Sequence, residues 1–150
     1  MNRRLQSGVT LIEMLVVVTI IAIIAGISFP ALTAGLASIR LSSASGSAAG
    51  FLVAAMNRVD RREQPAAILI SPKTSTLEVY TAASGDKPDR ELRLPQGISI
   101  EGDESRRFVL MPGGTVPRMT LILRNDKGAR RSVQVDPTTG VPKVQRVESQ

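Results

Sequence analysis

Residues 9–29 read VTLIEMLVVVTIIAIIAGISF, an apolar run broken by one carboxylate, Glu13. As a helix it is about 30 Å long, enough to cross the hydrocarbon core of a bilayer. Leu, Ile, Val and Ala dominate it, and no charged residue occurs from Met14 to Ile39. Arg3 and Arg4 precede it, so the positive-inside rule keeps the N-terminus in the cytoplasm and places the rest of the chain outside. A secretory signal peptide has a shorter apolar region that ends at a small-residue cleavage site. Here no such site precedes Pro30, and the small polar break, Ser7-Gly8, comes before the run. A plain single-span anchor explains the length and the basic flank. It does not explain Glu13, because an unpaired carboxylate in lipid costs about 2.5 kcal/mol or more.

Composition narrows the function classes. The 150 residues allow one modest domain plus an appended segment. There is no cysteine, which excludes disulfides and thiolate zinc sites, and no histidine, the usual general base near neutral pH. Aromatic residues are 3%, with no Trp, too few to stack single-stranded nucleic acid. Net charge is +6; without Arg3 and Arg4 the balance is 17 basic against 13 acidic residues. That permits anionic partners without requiring them.

After Pro30 the apolar positions keep helical spacing. Leu32, Leu36, Ile39, Phe51, Leu52, Met56 and Val59 form the expected inward face, with Ala44, Ala48 and Ala55 beside them. The helix is expected to run from Val9 to about Arg62, roughly 80 Å, with Pro65 as its stop. Beyond Pro65 the period changes to two. AAILIS (66–71), TLEVYT (76–81), RELRL (90–94), GISIE (97–101), RRFVLM (106–111), MTLILRN (119–125), RRSVQVD (130–136) and VPKVQRV (141–147) read as strands. SPKTS, SGDKPD, PQG, PGG, NDKG and DPTTG read as the turns between them. Short turns and alternation favour antiparallel hairpins laid against the helix, an α+β fold.

The stretch SGVTLIEMLVVVTIIAIIAGISFPAL (7–32) resembles the class III signal of type IV pilins and type II secretion pseudopilins. The resemblance implies cleavage by prepilin peptidase between Gly8 and Val9, and N-methylation at Val9. It also implies that Glu13, the fifth mature residue, guides filament assembly, and that Pro30, the twenty-second, kinks the helix. Val9 departs from the family's usual phenylalanine. Cutting after Gly8 would give Val9 a free α-amino group four residues from Glu13. Pairing of that amine with a carboxylate, in the same or a neighbouring chain, would offset desolvation and set axial register. The stretch FVLMPGGTVPRMTLILRNDKGARRSVQVDPTTGVPKV (108–144) resembles the closing region of the GspH/FimT family of minor pilins and pseudopilins. Together these imply the pilin fold: a leader 1–8, a transmembrane and filament-core helix 9–29, an amphipathic extension 30–64 and an antiparallel β domain 65–150.

No catalytic constellation is present: no Gly-x-Ser-x-Gly, no P-loop, no metal-ligand cluster. The chain is read as a structural subunit and not an enzyme, with no cofactor and no metal. Asp86, Asp89 and Glu91 in SGDKPDRE read as a solvated loop, because Lys87 and Arg90 are interleaved; EGDES (101–105) reads as an exposed turn. Arg124, Lys127, Arg130, Arg131, Lys143 and Arg146 form a basic set in the final hairpins. Some FimT-like minor pilins are DNA receptors, so DNA binding for natural transformation is the alternative function. The blander reading, solvated strand faces that resist edge-to-edge aggregation, is preferred. The first reading is a minor pseudopilin of the type II secretion pseudopilus. Its partners are other pseudopilins or pilins through the N-terminal helix, prepilin peptidase and the inner membrane, with the globular part in the periplasm.

Overall fold

The computed structural model describes residues 9–147, with the side chains of residues 30–32 and 34 outside the description. Gly8 and the rest of the leader therefore lie outside the described residues. The fold is α+β and pilin-like: a long N-terminal helix, apolar in its first half, followed by antiparallel sheets. Two compact units divide the chain, Met1–Leu36 and Ala37–Gln150.

Helix α1 (Leu11–Arg62) begins at a cap. Thr10 Oγ1 accepts the Glu13 N–H at 3.3 Å, and the Thr10 carbonyl accepts the Met14 N–H at 3.2 Å. Thr10-Leu11-Ile12-Glu13 is thus a capping-box sequence with its carboxylate in the first turn, where the helix dipole favours it. At the other end, Glu63 takes a left-handed conformation (φ 51°) and Pro65 follows, so the helix cannot continue. Pro30 lies within the helical span, although it has no N–H to offer the carbonyl of Gly26.

The sheet unit carries eight strands at the places the period-two reading expects. They are β1 (Ala66–Ser71), β2 (Thr76–Thr81), β3 (Arg90–Arg93), β4 (Ile98–Ile100), β5 (Arg106–Leu110), β6 (Met119–Asn125), β7 (Arg130–Val135) and β8 (Pro142–Val147). All pairings are antiparallel. One sheet has the order β3-β2-β1-β5 and the other β4-β6-β7-β8. The chain therefore changes sheet at each step from β3 to β6. The last three strands form a meander whose turns have clear local causes. In NDKG, Asn125 Oδ1 accepts the N–H groups of Lys127 and Ala129 at 3.1 and 2.8 Å, while Gly128 supplies φ 82°. In DPTTG, Asp136 Oδ1 accepts the N–H of Thr138 at 2.8 Å and Gly140 supplies φ 68°. The Thr138 and Thr139 N–H bonds hold the Asp136 carboxyl below its ordinary pKa.

A single hydrophobic cluster joins the second half of α1 to both sheets. Ile68, Ile70, Leu77 and Val79 face it from one sheet; Ile98, Ile100, Met119, Leu121, Leu123, Val133 and Val135 face it from the other. The helical side differs from the expected face. Leu36 and Ile39 are exposed, at 51% and 66%, and Phe51 and Met56 are only half-buried. The seam is Leu41, Ala44, Ser45, Ala48, Leu52, Ala55 and Val59, all buried. Small residues occupy its middle, so the helix backbone can approach the sheets closely. Ser45 is tolerated there because its hydroxyl donates to the Leu41 carbonyl at 2.7 Å.

Candidate assembly segment and basic surfaces

Leu11–Phe29 is long and apolar enough to cross a membrane, and none of it is buried within the chain. Leu11, Ile12, Ile27 and Phe29 are the most exposed of its large side chains. An isolated stripe of this kind occurs on one face of an ordinary surface helix; here the apolar surface runs all round. Such a helix needs a non-aqueous surrounding, whether lipid or other helices. The Thr19 hydroxyl within it already has a partner, since Thr19 Oγ1 donates to the Leu15 carbonyl at 2.7 Å.

Glu13 stands in the first turn of this segment and is exposed. Its N–H is taken by the Thr10 hydroxyl, but its carboxylate forms no ion pair among the described residues. The cap thus fixes where the carboxylate starts from without using it up. The T-x-x-E signature was available in the sequence and accounts for Glu13 locally, an explanation that length and charge alone did not supply. Val9 precedes the cap and is exposed; Gly8, with which it would form the cleavage junction, is outside the described residues. The expected kink at Pro30 concerns a position where the helix is continuous and the side chain is not described.

The six basic residues of the final hairpins do not share one surface. Register places Arg124 opposite Arg130, and Lys143 opposite Gln134, on the outward side of their sheet. Arg130 is ion-paired to Glu101 at 3.0 Å. Arg131 lies directly opposite Arg146, on the same side as the buried Val133. Lys127 sits in the turn. A recess of about 600 Å3 beside the start of the sheet unit brings Arg130, Arg131 and Arg146 together with Ser38 and Leu41. Arg124, Lys127 and Lys143 do not line it.

The acidic residues of the 86–91 loop are dispersed. Asp89 pairs with Arg58 on α1 at 2.5 Å, and Glu91 with Arg93 at 3.0 Å. Among the described residues no group of three acidic side chains could hold a metal ion. On the outward face of the first sheet, Tyr80 donates its hydroxyl to Glu78 Oε2 at 2.8 Å. That bond, with partial desolvation behind it, raises the Tyr80 pKa.

No curated protein and no solved structure matches the chain. Residues 3–29 match the prokaryotic N-terminal methylation motif. That motif is a type IV pilin-like prepilin signal; it implies processing by prepilin peptidase and supports a pilin-like or pseudopilin subunit with a membrane-compatible N-terminal helix.

Proposed function

We propose that the chain is a minor pseudopilin of the GspH/FimT type, a structural subunit of the type II secretion pseudopilus that drives protein export across the outer membrane. Its work is packing and polymerisation, not turnover. The observation that carries this reading is the conjunction of the methylation motif at 3–29 with an apolar helix that is exposed among the described residues. In this reading residues 1–8 are a leader, and hydrolysis of the Gly8–Val9 peptide bond leaves an ammonium at Val9, which is then methylated. Residues 9–29 hold the subunit in the inner membrane and later form filament core. Residues 30–64 extend the helix and 65–150 form the periplasmic domain. The Glu13 carboxylate, already positioned by the Thr10 cap, pairs with the Val9 amine of a neighbouring subunit as the helices stack. Pro30 removes one helical hydrogen bond and lets the helix bend where it leaves that stack.

Mass spectrometry of the chain from the native host tests the first step: the mature polypeptide starts at methylated Val9. Gly8→Glu should retain the leader. Glu13→Ala should be cleaved yet enter filaments poorly, and normal incorporation would refute the pairing. Loss of exoprotein secretion in a deletion strain separates this system from a pilus.

Arg131 and Arg146, directly opposed and without an ion pair among the described residues, favour a second reading, a FimT-like minor pilin that binds DNA for natural transformation. In that case the full chain in neutral detergent shifts duplex DNA in a salt-dependent way, and Arg130→Ala with Arg131→Ala abolishes the shift. Absence of any shift at low salt removes this reading.

A further inference from the structure

We propose that a second basic recess, at the C-terminal end of α1, is a binding site for a small polyvalent oxyanion of the phosphate or sulfate class. The recess is about 390 Å3 and is lined by Ala54, Asn57, Arg58, Arg61, Arg62 and Arg90. That volume is within the usual range for small-molecule pockets, about 300–1,000 Å3. Three of the arginines come from the last turns of the helix, at spacings of three and four that place them on neighbouring positions. Arg90 comes from the first residue of β3.

Of these four, Arg58 alone has a carboxylate partner among the described residues, Asp89. Even so, the Arg58 Nε is buried and has no hydrogen-bond acceptor among the described residues. A buried donor left unmade is costly, and native structures carry few of them. Arg61, Arg62 and Arg90 form no ion pair among the described residues. The negative end of the helix dipole accounts for basic residues in the last turn, at under about 1 kcal/mol each. It accounts neither for Arg90, which belongs to a strand, nor for the orphaned Nε. Asp89 offsets one of the four arginines that line the recess; the other three carry like charge around it, and an anion with several oxygens relieves their repulsion. It also matches the planar, forked donors that arginine offers and lysine does not. Asn57 adds an amide able to donate to the same ligand or accept from a hydroxyl on it.

The oxyanion can be a soluble phosphate or sulfate ester or the headgroup of an anionic lipid. The test uses the full chain in nanodiscs of zwitterionic lipid, titrated with pyrophosphate by calorimetry at constant ionic strength. Saturable one-to-one binding is expected. Arg61→Gln with Arg90→Gln should weaken it at least about tenfold, as loss of two charge-assisted contacts implies. Arg40→Gln with Lys73→Gln removes the same charge from exposed positions outside the recess and should leave binding unchanged. Repeating the titration in discs with phosphatidylglycerol distinguishes the sources: a weaker response only there identifies the lipid headgroup as the occupant. No saturable binding in zwitterionic discs, or equal loss in both double variants, overturns the proposal.

Discussion

Replacing Ala48 by leucine tests how the helix meets the sheets. Ala48 has 0% exposure and sits mid-seam, between Ala44 and Leu52. Leucine brings three more carbons to a position with no open space. The helix must lift or its neighbours must leave their rotamers, which costs about 1–3 kcal/mol. No transfer gain compensates, because the added carbons displace packed atoms and not water. For a domain of about 100 residues each kcal/mol is worth about 4 °C in melting temperature. The midpoint should therefore fall by about 4–12 °C. Ser47→Leu is the matched control: the same side chain one residue away, on the exposed surface. Its effect should stay within about 0.5 kcal/mol. Both variants are read by calorimetric unfolding of the full chain in neutral detergent. Equal midpoints for the two would refute the close-approach seam and favour a helix lying loosely over the sheets.

Asp89→Ala should lower stability by about 1–2 kcal/mol, between the values for exposed and buried pairs, because both partners keep only about a quarter of their side-chain exposure. Arg58→Met added to it should recover part of that loss, since no unpaired charge then remains; denaturant titration of the three variants decides. Gly46 and Gly50 lie on the exposed side of the same helix with open space where a Cβ would go. Gly46→Ala and Gly50→Ala should each stabilise the chain by about 1 kcal/mol in thermal unfolding. Tyr80 is the sole tyrosine and there is no Trp, so phenolate absorbance reports it alone. Its midpoint should lie above 10.0 and move down in Glu78→Ala. Folding favours the protonated phenol, so this contribution to stability is full below pH 10.0 and is lost as the pH rises through the folded value.

Much of the architecture was legible because its causes are local. Alternation in residues such as Ile68, Ile70, Leu77 and Val79 marks strands with one buried face, and NDKG and DPTTG carry their own turn chemistry. The helical seam was legible in part: Ala44, Ala48, Leu52, Ala55 and Val59 are buried as their spacing implied. Large apolar residues also drew in Leu36 and Ile39, which are exposed, whereas Leu41 and Ser45, which the spacing left out, complete the seam. Hairpin logic also pairs neighbours in sequence, whereas β4 and β5 join different sheets. Glu13 looked anomalous only while Thr10 was ignored as its cap. The arginine recess depends on Arg90 folding back onto Arg58 and Arg61, a long-range proximity that no window of sequence contains. The basic hairpins looked like one patch because strand register, which sends Arg131 and Arg130 to opposite sides, is a property of pairing and not of composition.

The alternation of β3 to β6 between the two sheets has a mechanical corollary. β5 returns to complete the first sheet only after β4 has been laid down as an edge of the second. Neither layer can be finished, or peeled away, while the other is missing, so a nick between residues 94 and 106 should liberate no stable half. A subunit pushed from one end would transmit load through both layers at once and yield, when it yields, in one step.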